Sequence, residues 1–291
     1  MENLEDIKKN LGVDLLGVCD ASSMDNILDI LKTRPKDFMT KFESDNYNLR
    51  VDPKLSLKDA KSVFVLGLSY IWDEPDNIDF KISNHARSLD YHKVMGKRLD
   101  HFSSIIRNMG YNTYTQVDNG TLYERELARR AGLGFIGKNG LLINKTYGSY
   151  IFLGILVTDL ELDSYSSLDL DTCGDCKICE KACPSSAILG DYKLNPSICH
   201  SYLNQIKETY EETYNILYAY GCDICQKVCP KNKDIIYNKN EEFRPINFSI
   251  DKSIKDLSNR QFREKYKDYS FSWVGKKTLV RNLEILEKRG R

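Results

Sequence analysis

The feature that most constrains this chain is the run Cys173-Gly-Asp-Cys176-Lys-Ile-Cys179-Glu-Lys-Ala-Cys183-Pro184. Its spacing, C-x2-C-x2-C-x3-C-P, is that of a four-iron–four-sulfur binding run. Three thiolates so close together wrap one cube. The fourth, displaced by a short turn ending in proline, reaches a neighbouring cube. A second run, Cys222-Asp-Ile-Cys225-Gln-Lys-Val-Cys229-Pro230, is one cysteine short. Crossed ligation then assigns Cys229 to the cube of Cys173, Cys176 and Cys179. The other cube has Cys183, Cys222 and Cys225, and Cys199, between the runs, is the natural fourth ligand. Paired zinc sites are the competing reading. Zinc favours two C-x2-C pairs with four ligands each, which the C-x2-C-x2-C triplet does not offer.

The compartment follows from the same residues. Clustered cysteines without a secretory leader point to metal or redox chemistry rather than disulfides. The N-terminus, MENLEDIKKNLGVDLLGVCD, has no basic segment followed by a long apolar one. No stretch approaches the roughly 18 apolar residues of a membrane span. A cytoplasmic chain with no membrane association is expected. The 42 basic and 42 acidic residues cancel, so whole-chain charge gives no case for nucleic acid. From Lys231 onward, however, 16 Lys and Arg face 9 Asp and Glu, an excess able to meet phosphate. A solvated surface with a chance bias explains it equally well.

Periodicity predicts a helix over 3–11 and a short strand over Leu15–Val18. A central strand is expected over Lys61–Ile71 and a helix over Asp90–Met109, capped by Gly110. A strand is expected over Tyr111–Val117 and a helix over Leu122–Ala131. Leu141–Ile143 and Ser149–Thr158 read as a strand pair turning near Gly148. This alternation predicts an α/β or α+β first domain over 1–163. A polar linker, SYSSLDLD, opens a small cysteine-rich domain over 164–240. A helical tail over 241–291 includes Leu279–Lys288.

Between the first strands and the cysteines lies an unusual stretch. Asp118 follows a strand and precedes a helix, where a carboxylate can project into a site or satisfy helix N–H groups. Four glycines between 132 and 140 imply tight turns or a close approach to something.

Here the order of motifs carries a resemblance. V-D-x-G-x-L-x-E-R-x-L-A-x-R-A-G-L-G-x-x-G-K-N begins at Val117. G-S-Y at Gly148, the first cysteine run, C-x-S-Y-L at Cys199 and G-C-D-x-C-Q-x-V-C-P at Gly221 follow. With Leu89-Asp90-Tyr91-His92, Phe271-Ser272-Trp273 and Arg281-Asn282, the series resembles the epoxyqueuosine reductases from about residue 50 to 285. The resemblance implies an α+β first domain, α/β-like and nitroreductase-like, that binds cobalamin. It also implies a small ferredoxin-like domain with two 4Fe–4S clusters, ligated as above. The substrate it implies is tRNA carrying epoxyqueuosine at the wobble position, reduced to queuosine. It places the catalytic proton donor at Asp118 and cobalamin contacts at Arg50, Tyr91, Asp118, Lys138, Asn139, Gly148 and Ser149.

Removing the epoxide oxygen as water takes two electrons and two protons. Asp118 supplies a proton to the developing alkoxide if burial raises its pKa. The electrons come from an unidentified low-potential donor, and a monomer is expected. Many family members continue into a helical-repeat segment that helps grip tRNA. This chain ends at Arg291, so its grip is expected from the basic tail and the cluster domain. Two other readings stand beside this one, a relative of the reductive dehalogenases and a ferredoxin-type electron carrier. The roughly 160 residues preceding the clusters argue against a simple carrier. His85 and His92 are available as cobalt ligands, although structural roles are commoner. Cys19 is expected to be a small buried hydrophobe.

Overall fold

The computed structural model describes residues 3–73, 81–209, 215–246 and 250–289. Helix α1 (Leu4–Leu11) ends at Gly12, whose left-handed conformation (φ 62°) lets its N–H reach back to the last carbonyls. Strand β1 (Leu15–Asp20), helices α2 (Asp25–Thr33) and α3 (Tyr47–Val51) and strand β2 (Ser62–Ser69) follow. The long helix α4 (Tyr91–Asn108) leads to β3 (Thr113–Gln116), α5 (Glu124–Arg130), the short pair β4 (Phe135–Ile136) and β5 (Leu142–Ile143), and β6 (Ile151–Thr158).

Four strands form one sheet in the order β1-β2-β6-β3, and every pairing is antiparallel. This makes the first domain α+β. Strand β2 is central and all eight of its residues are buried. The period-2 pleat sends Phe64, Leu66 and Leu68 into the core under α1 and α4. Val63 and Val65 go into the opposite core, with Ile27 and Leu31 of α2 and Leu127 of α5. Each fully buried aliphatic side chain there contributes about 1.5–3 kcal/mol. A strand covered on both faces loses the apolar–polar alternation, hence the unbroken run KSVFVLGLSYI. Cys19 lies in the second core, and burial pushes its thiol up to about 12.

One expected pairing is different. Leu142–Ile143 does not pair with the strand that follows it. It pairs with Phe135–Ile136, while β6 runs between β2 and β3. Gly148 closes a small turn through a bridge to Asn144. The glycine-rich turn at 137–140 closes a local hairpin through the Gly137 N–H to Leu141 O and Gly140 N–H to Gly137 O bonds, which pairs β5 with β4.

The cysteine-rich segment is built of short pieces: α6 (Ile178–Ala182), the hairpin β7 (Ile188–Gly190) and β8 (Lys193–Leu194), α7 (His200–Leu203) and α8 (Ile224–Lys227). Helix α6 has no buried residue. The tail helices α9 (Asn259–Tyr266) and α10 (Gly275–Arg289) make a third core with Ile82, Ala86, Ala219 and Tyr220. The chain from 235 to 243 returns to the first domain. Ile236 donates its N–H to Thr146 O, Arg98 pairs with Glu242, and Phe243 is buried in the first core. No helix among the described residues is long and apolar enough to cross a membrane.

Candidate active site and cluster-binding region

Asp118 sits just beyond β3 with φ 53°, a left-handed conformation that non-glycine residues seldom adopt. Glu124 holds it there, accepting the Asp118 N–H at 2.8 Å. The same Oε1 accepts Gln116 Nε2 at 2.9 Å. Gln116 in turn clamps Leu122, donating to its carbonyl at 3.0 Å and accepting its N–H at 3.1 Å. The loop 117–121 is therefore closed at its base by buried Gln116. Burial pushes the Glu124 carboxyl up to about 7, and the neighbouring Asp118 charge adds to the rise. Helix α5 has Tyr123 at its N-cap, without a side-chain bond, so Asp118 is not its cap.

The Asp118 side chain is 62% exposed and faces the first turn of α4. Tyr91 donates its hydroxyl to Asp118 Oδ2 at 2.8 Å, and His92 Nε2 lies 3.5 Å from the same oxygen. His92 Nδ1 pairs with Asp90 Oδ1 at 2.7 Å, and Asp90 also caps the helix through the His92 N–H. The Tyr91 ring stacks on Phe152 at 4.1 Å and 5°. Burial works to lower the His92 pKa, but the two carboxylates outweigh it and raise the ring to about 9. The His92 ring 3.5 Å away and the Tyr91 hydroxyl hold the Asp118 carboxyl below its usual range, against the opposing effect of desolvation. The expected burial-raised Asp118 is thus replaced by a shared arrangement in which the proton rests on His92. His85 is tied elsewhere: its Nδ1 meets Ser83 Oγ at 2.7 Å, and burial lowers it to about 4.

A strap over Ser83–Arg87 connects this site to the cysteines. Ser83 donates its N–H to Tyr220 O at 2.9 Å, and Asn84 donates its own to Asp223 Oδ2 at 2.7 Å. Gly221 lies between those partners with φ 69°, and a Cβ there would meet Ser83 Oγ. Asp223 is the residue after Cys222, and burial raises its carboxyl to about 6.

The cysteines gather in two sets. Cys173, Cys176, Cys179 and Cys229 line one small cavity with Lys138 and Asn139. Cys225 is neighboured chiefly by Cys222, Cys199 and Cys183. Among the described residues no three Cys, His, Asp or Glu side chains converge as the ligands of a single ion do. Thiols spread around a cavity suit a group larger than one ion, so the donor set fits iron–sulfur cubes.

The other sequence-derived contacts disperse. Lys138 gives its N–H to Cys173 Sγ at 3.4 Å and its Nζ to Cys176 O at 3.0 Å. Asn139 lines the same cavity and leaves Nδ2 unpartnered. Gly148 (φ 59°) and Ser149 pack on Asn232, which accepts the Ser149 N–H at 2.7 Å, and Gln226 donates to Ser149 Oγ at 3.1 Å. Arg50 is buried, pairs with Glu43 at 2.8 Å and lies over Tyr123 at 5.6 Å. Of these residues, only Tyr91 touches Asp118. Sequence reasoning did not single out Glu124, and it named His92 only as an available cobalt ligand. Their signal was present, His92 beside Tyr91 in the LDYH motif and Glu124 in the E-R pair after Asp118.

A larger cavity of about 360 Å³ lies between the first domain and the cluster region. Tyr70, Trp72, Asn84, Arg87, Tyr150 and Lys227 are among its walls. Trp72 carries a buried Nε1–H without a partner.

Comparison with known proteins places these features. Residues 50–119 match the family model described as epoxyqueuosine reductase QueG, DUF1730, and residues 172–232 match the 4Fe-4S double cluster binding domain. An epoxyqueuosine reductase of Lactococcus garvieae is 34% identical, over 97% of this chain and 84% of its own length. That of Bacillus subtilis is 32% identical, over 97% and 77%. A crystal structure of an epoxyqueuosine reductase with an epoxyqueuosine-modified tRNA-Tyr stem loop superposes with a TM-score of 0.91 at 31% identity, covering 97% of this chain and 79% of that one. The Bacillus subtilis enzyme with its catalytic aspartate loop swung out of the active site gives 0.88 at 30%, over 98% and 82%. Matched along nearly its whole length by sequence and by fold, the chain belongs to the epoxyqueuosine reductase family.

Proposed function

We propose that the chain reduces the epoxide of epoxyqueuosine in tRNA to the alkene of queuosine, releasing the oxygen as water. The observation that carries this reading is the position of Asp118. Tyr91 and His92 hold its carboxylate, and the strap bonded to Tyr220 and Asp223 joins it to the cluster-binding region. A two-electron, two-proton reduction requires a proton source and an electron source, and we assign these to Asp118 with His92 and to the clusters.

The groups implied by the family are two 4Fe–4S clusters and cobalamin. When bound they supply single-electron transfer and a low-valent cobalt able to react at an epoxide carbon. We assign Cys173, Cys176, Cys179 and Cys229 to one cluster and Cys183, Cys199, Cys222 and Cys225 to the other. Cobalamin, nitroreductase-like domain and all, belongs with residues 1–163. Residues 164–240 hold the clusters, and 241–291 form the tail. The cavity walled by Tyr70, Trp72, Asn84, Arg87 and Lys227 supports a large ligand rich in amide groups. Arg50, Tyr91, Asp118, Lys138, Asn139, Gly148 and Ser149 are the cobalamin contacts that the family resemblance implies.

The chain's own residues handle the proton. His92 keeps it on Nε2, 3.5 Å from Asp118 Oδ2, and Tyr91 fixes that oxygen from the other side. As negative charge develops on the epoxide oxygen, the His92 proton is relayed through the Asp118 carboxylate to that oxygen, leaving His92 neutral. Titration of the anaerobic protein with cobalamin, followed by visible absorbance, tests the reading. Saturable binding at one corrinoid per chain supports it, and no binding refutes it.

A further inference from the structure

The family resemblance gives Lys138 and Asn139 to cobalamin, but the turn that carries them faces the cysteines. Gly140 donates its N–H to Gly137 O at 2.8 Å, so Lys138 and Asn139 are the two central residues of a tight turn. Arg125, the residue after Glu124 in α5, donates to Gly140 O and pins the turn to the first domain. Turn tips ordinarily project into water. Here both central residues are buried, at 7% and 8% exposure. They stand in the wall of the cavity that Cys173, Cys176, Cys179 and Cys229 surround.

Two donors of the turn serve this cavity. The Lys138 N–H meets Cys173 Sγ at 3.4 Å, and Lys138 Nζ ties the turn to the first cysteine run through Cys176 O at 3.0 Å. Asn139 is fixed from its other end. Its Oδ1 accepts the Leu141 N–H at 3.3 Å, which leaves Nδ2 as the free end of the amide. That Nδ2 is buried and has no hydrogen-bond partner among the described residues. A buried donor left unmet is costly, and native proteins seldom keep one without a use. Gly137 makes room for the amide: a Cβ there would lie 2.8 Å from Asn139 Oδ1 and 2.5 Å from Ile143 Cδ1. The close approach expected of the glycine stretch is thus an approach to the cysteines.

An N–H donor in that wall has a definite effect on a cluster. The sulfurs of a 4Fe–4S cube carry negative charge, and taking up an electron makes the cube more negative. A fixed donor therefore stabilises the reduced form more than the oxidised one and raises the reduction potential. We propose that Asn139 donates its Nδ2–H to a sulfur of the cluster held by Cys173, Cys176, Cys179 and Cys229, beside the Lys138 N–H, and so makes that cluster easier to reduce. The proposal rests on the assignment of those four cysteines to one cluster. Asn139 acts on the electron supply without touching the substrate or Asp118.

Anaerobic potentiometric titration of the full chain with both clusters bound, followed by electron paramagnetic resonance, tests this. N139L has a similar size and no donor. It is expected to lower one of the two midpoint potentials by about tenfold in the reduction equilibrium, about 59 mV for one electron, and to leave the other in place. N139D keeps an oxygen for the Leu141 N–H but has no donor, and is expected to lower the same midpoint at least as far. A purely structural role in the turn would spare N139D. Electron–nuclear double resonance of the reduced protein in D2O is expected to show an exchangeable coupling at that cluster which N139L lacks. A midpoint unmoved in either variant overturns the proposal, as does an equal shift of both midpoints or a coupling that survives in N139L. A wild-type chain that does not take up about eight iron atoms overturns the cluster assignment itself.

Discussion

Glu124 Oε1 accepts the backbone N–H of Asp118 at 2.8 Å, and this bond fixes the proposed proton donor in a left-handed conformation. A related enzyme has a structure with its catalytic aspartate loop swung out of the active site. In this chain Glu124 holds Asp118 beside Tyr91 and His92.

Removing that acceptor is expected to lower kcat about ten- to a hundredfold, the range for a lost hydrogen bond to a charged group. E124A shows this loss with little change in KM for tRNA. E124Q, whose amide oxygen still accepts both bonds, restores most of the rate. Steady-state kinetics on the two variants distinguish a loop clasp from general destabilisation, which would affect both alike.

The pH profile follows from the same residues. Glu124, with its pKa raised to about 7, becomes a stronger charged acceptor as pH rises through that value. His92, raised to about 9, loses its proton as pH rises further. A kcat/KM optimum between about 7 and about 9 is expected for the free enzyme. E124Q removes the rising limb, and H92Q lowers activity at neutral pH. The sign for stability is also set. The folded His92 value lies above the ordinary 6.5, so its contribution is complete below 6.5 and fades as pH approaches about 9. Thermal unfolding of H92Q should therefore differ from wild type at pH 6 and converge with it near pH 9.

D118A and D118N are expected to reduce turnover by about a hundredfold or more, the usual contribution of a positioned acid. Both should keep the visible absorbance of the clusters. Full activity in either variant would remove Asp118 from the chemistry.

The crossed pairing of the cysteines makes a counting prediction. C199A and C229A each remove one ligand from a different set, so each is expected to lower iron from about eight atoms per chain toward about four. Combining them removes both clusters. Two substitutions within one set, such as C199A with C222A, should cost no more iron than either alone.

The parts of this account that were legible in the sequence are those with local signatures. Cysteine spacing named the cofactor type. The apolar run over Lys61–Ile71 named the central strand because a doubly covered strand needs no polar face. The helical spacing from Asp90 and the glycine at 110 bounded α4 to within a residue or two. What was not legible depends on contacts across long sequence separations. Nothing near Lys138 indicates that its N–H will meet Cys173, 35 residues away. The partner of β5 is set by a glycine turn that closes a local hairpin, which strand periodicity does not report. The condition set on Asp118, a pKa raised by burial, is not met because α4 places the His92 imidazolium beside it, which the sequence around Asp118 does not show.

The central claim is tested most directly by nucleoside analysis of epoxyqueuosine-bearing tRNA after incubation with cobalamin-loaded holoenzyme and a strong reductant without oxygen. The account predicts loss of one oxygen atom from the modified nucleoside, giving queuosine, and no conversion when cobalamin is omitted or Asp118 is replaced by Asn. Unchanged epoxyqueuosine with the fully loaded wild-type protein, or equal conversion without cobalamin, would contradict it.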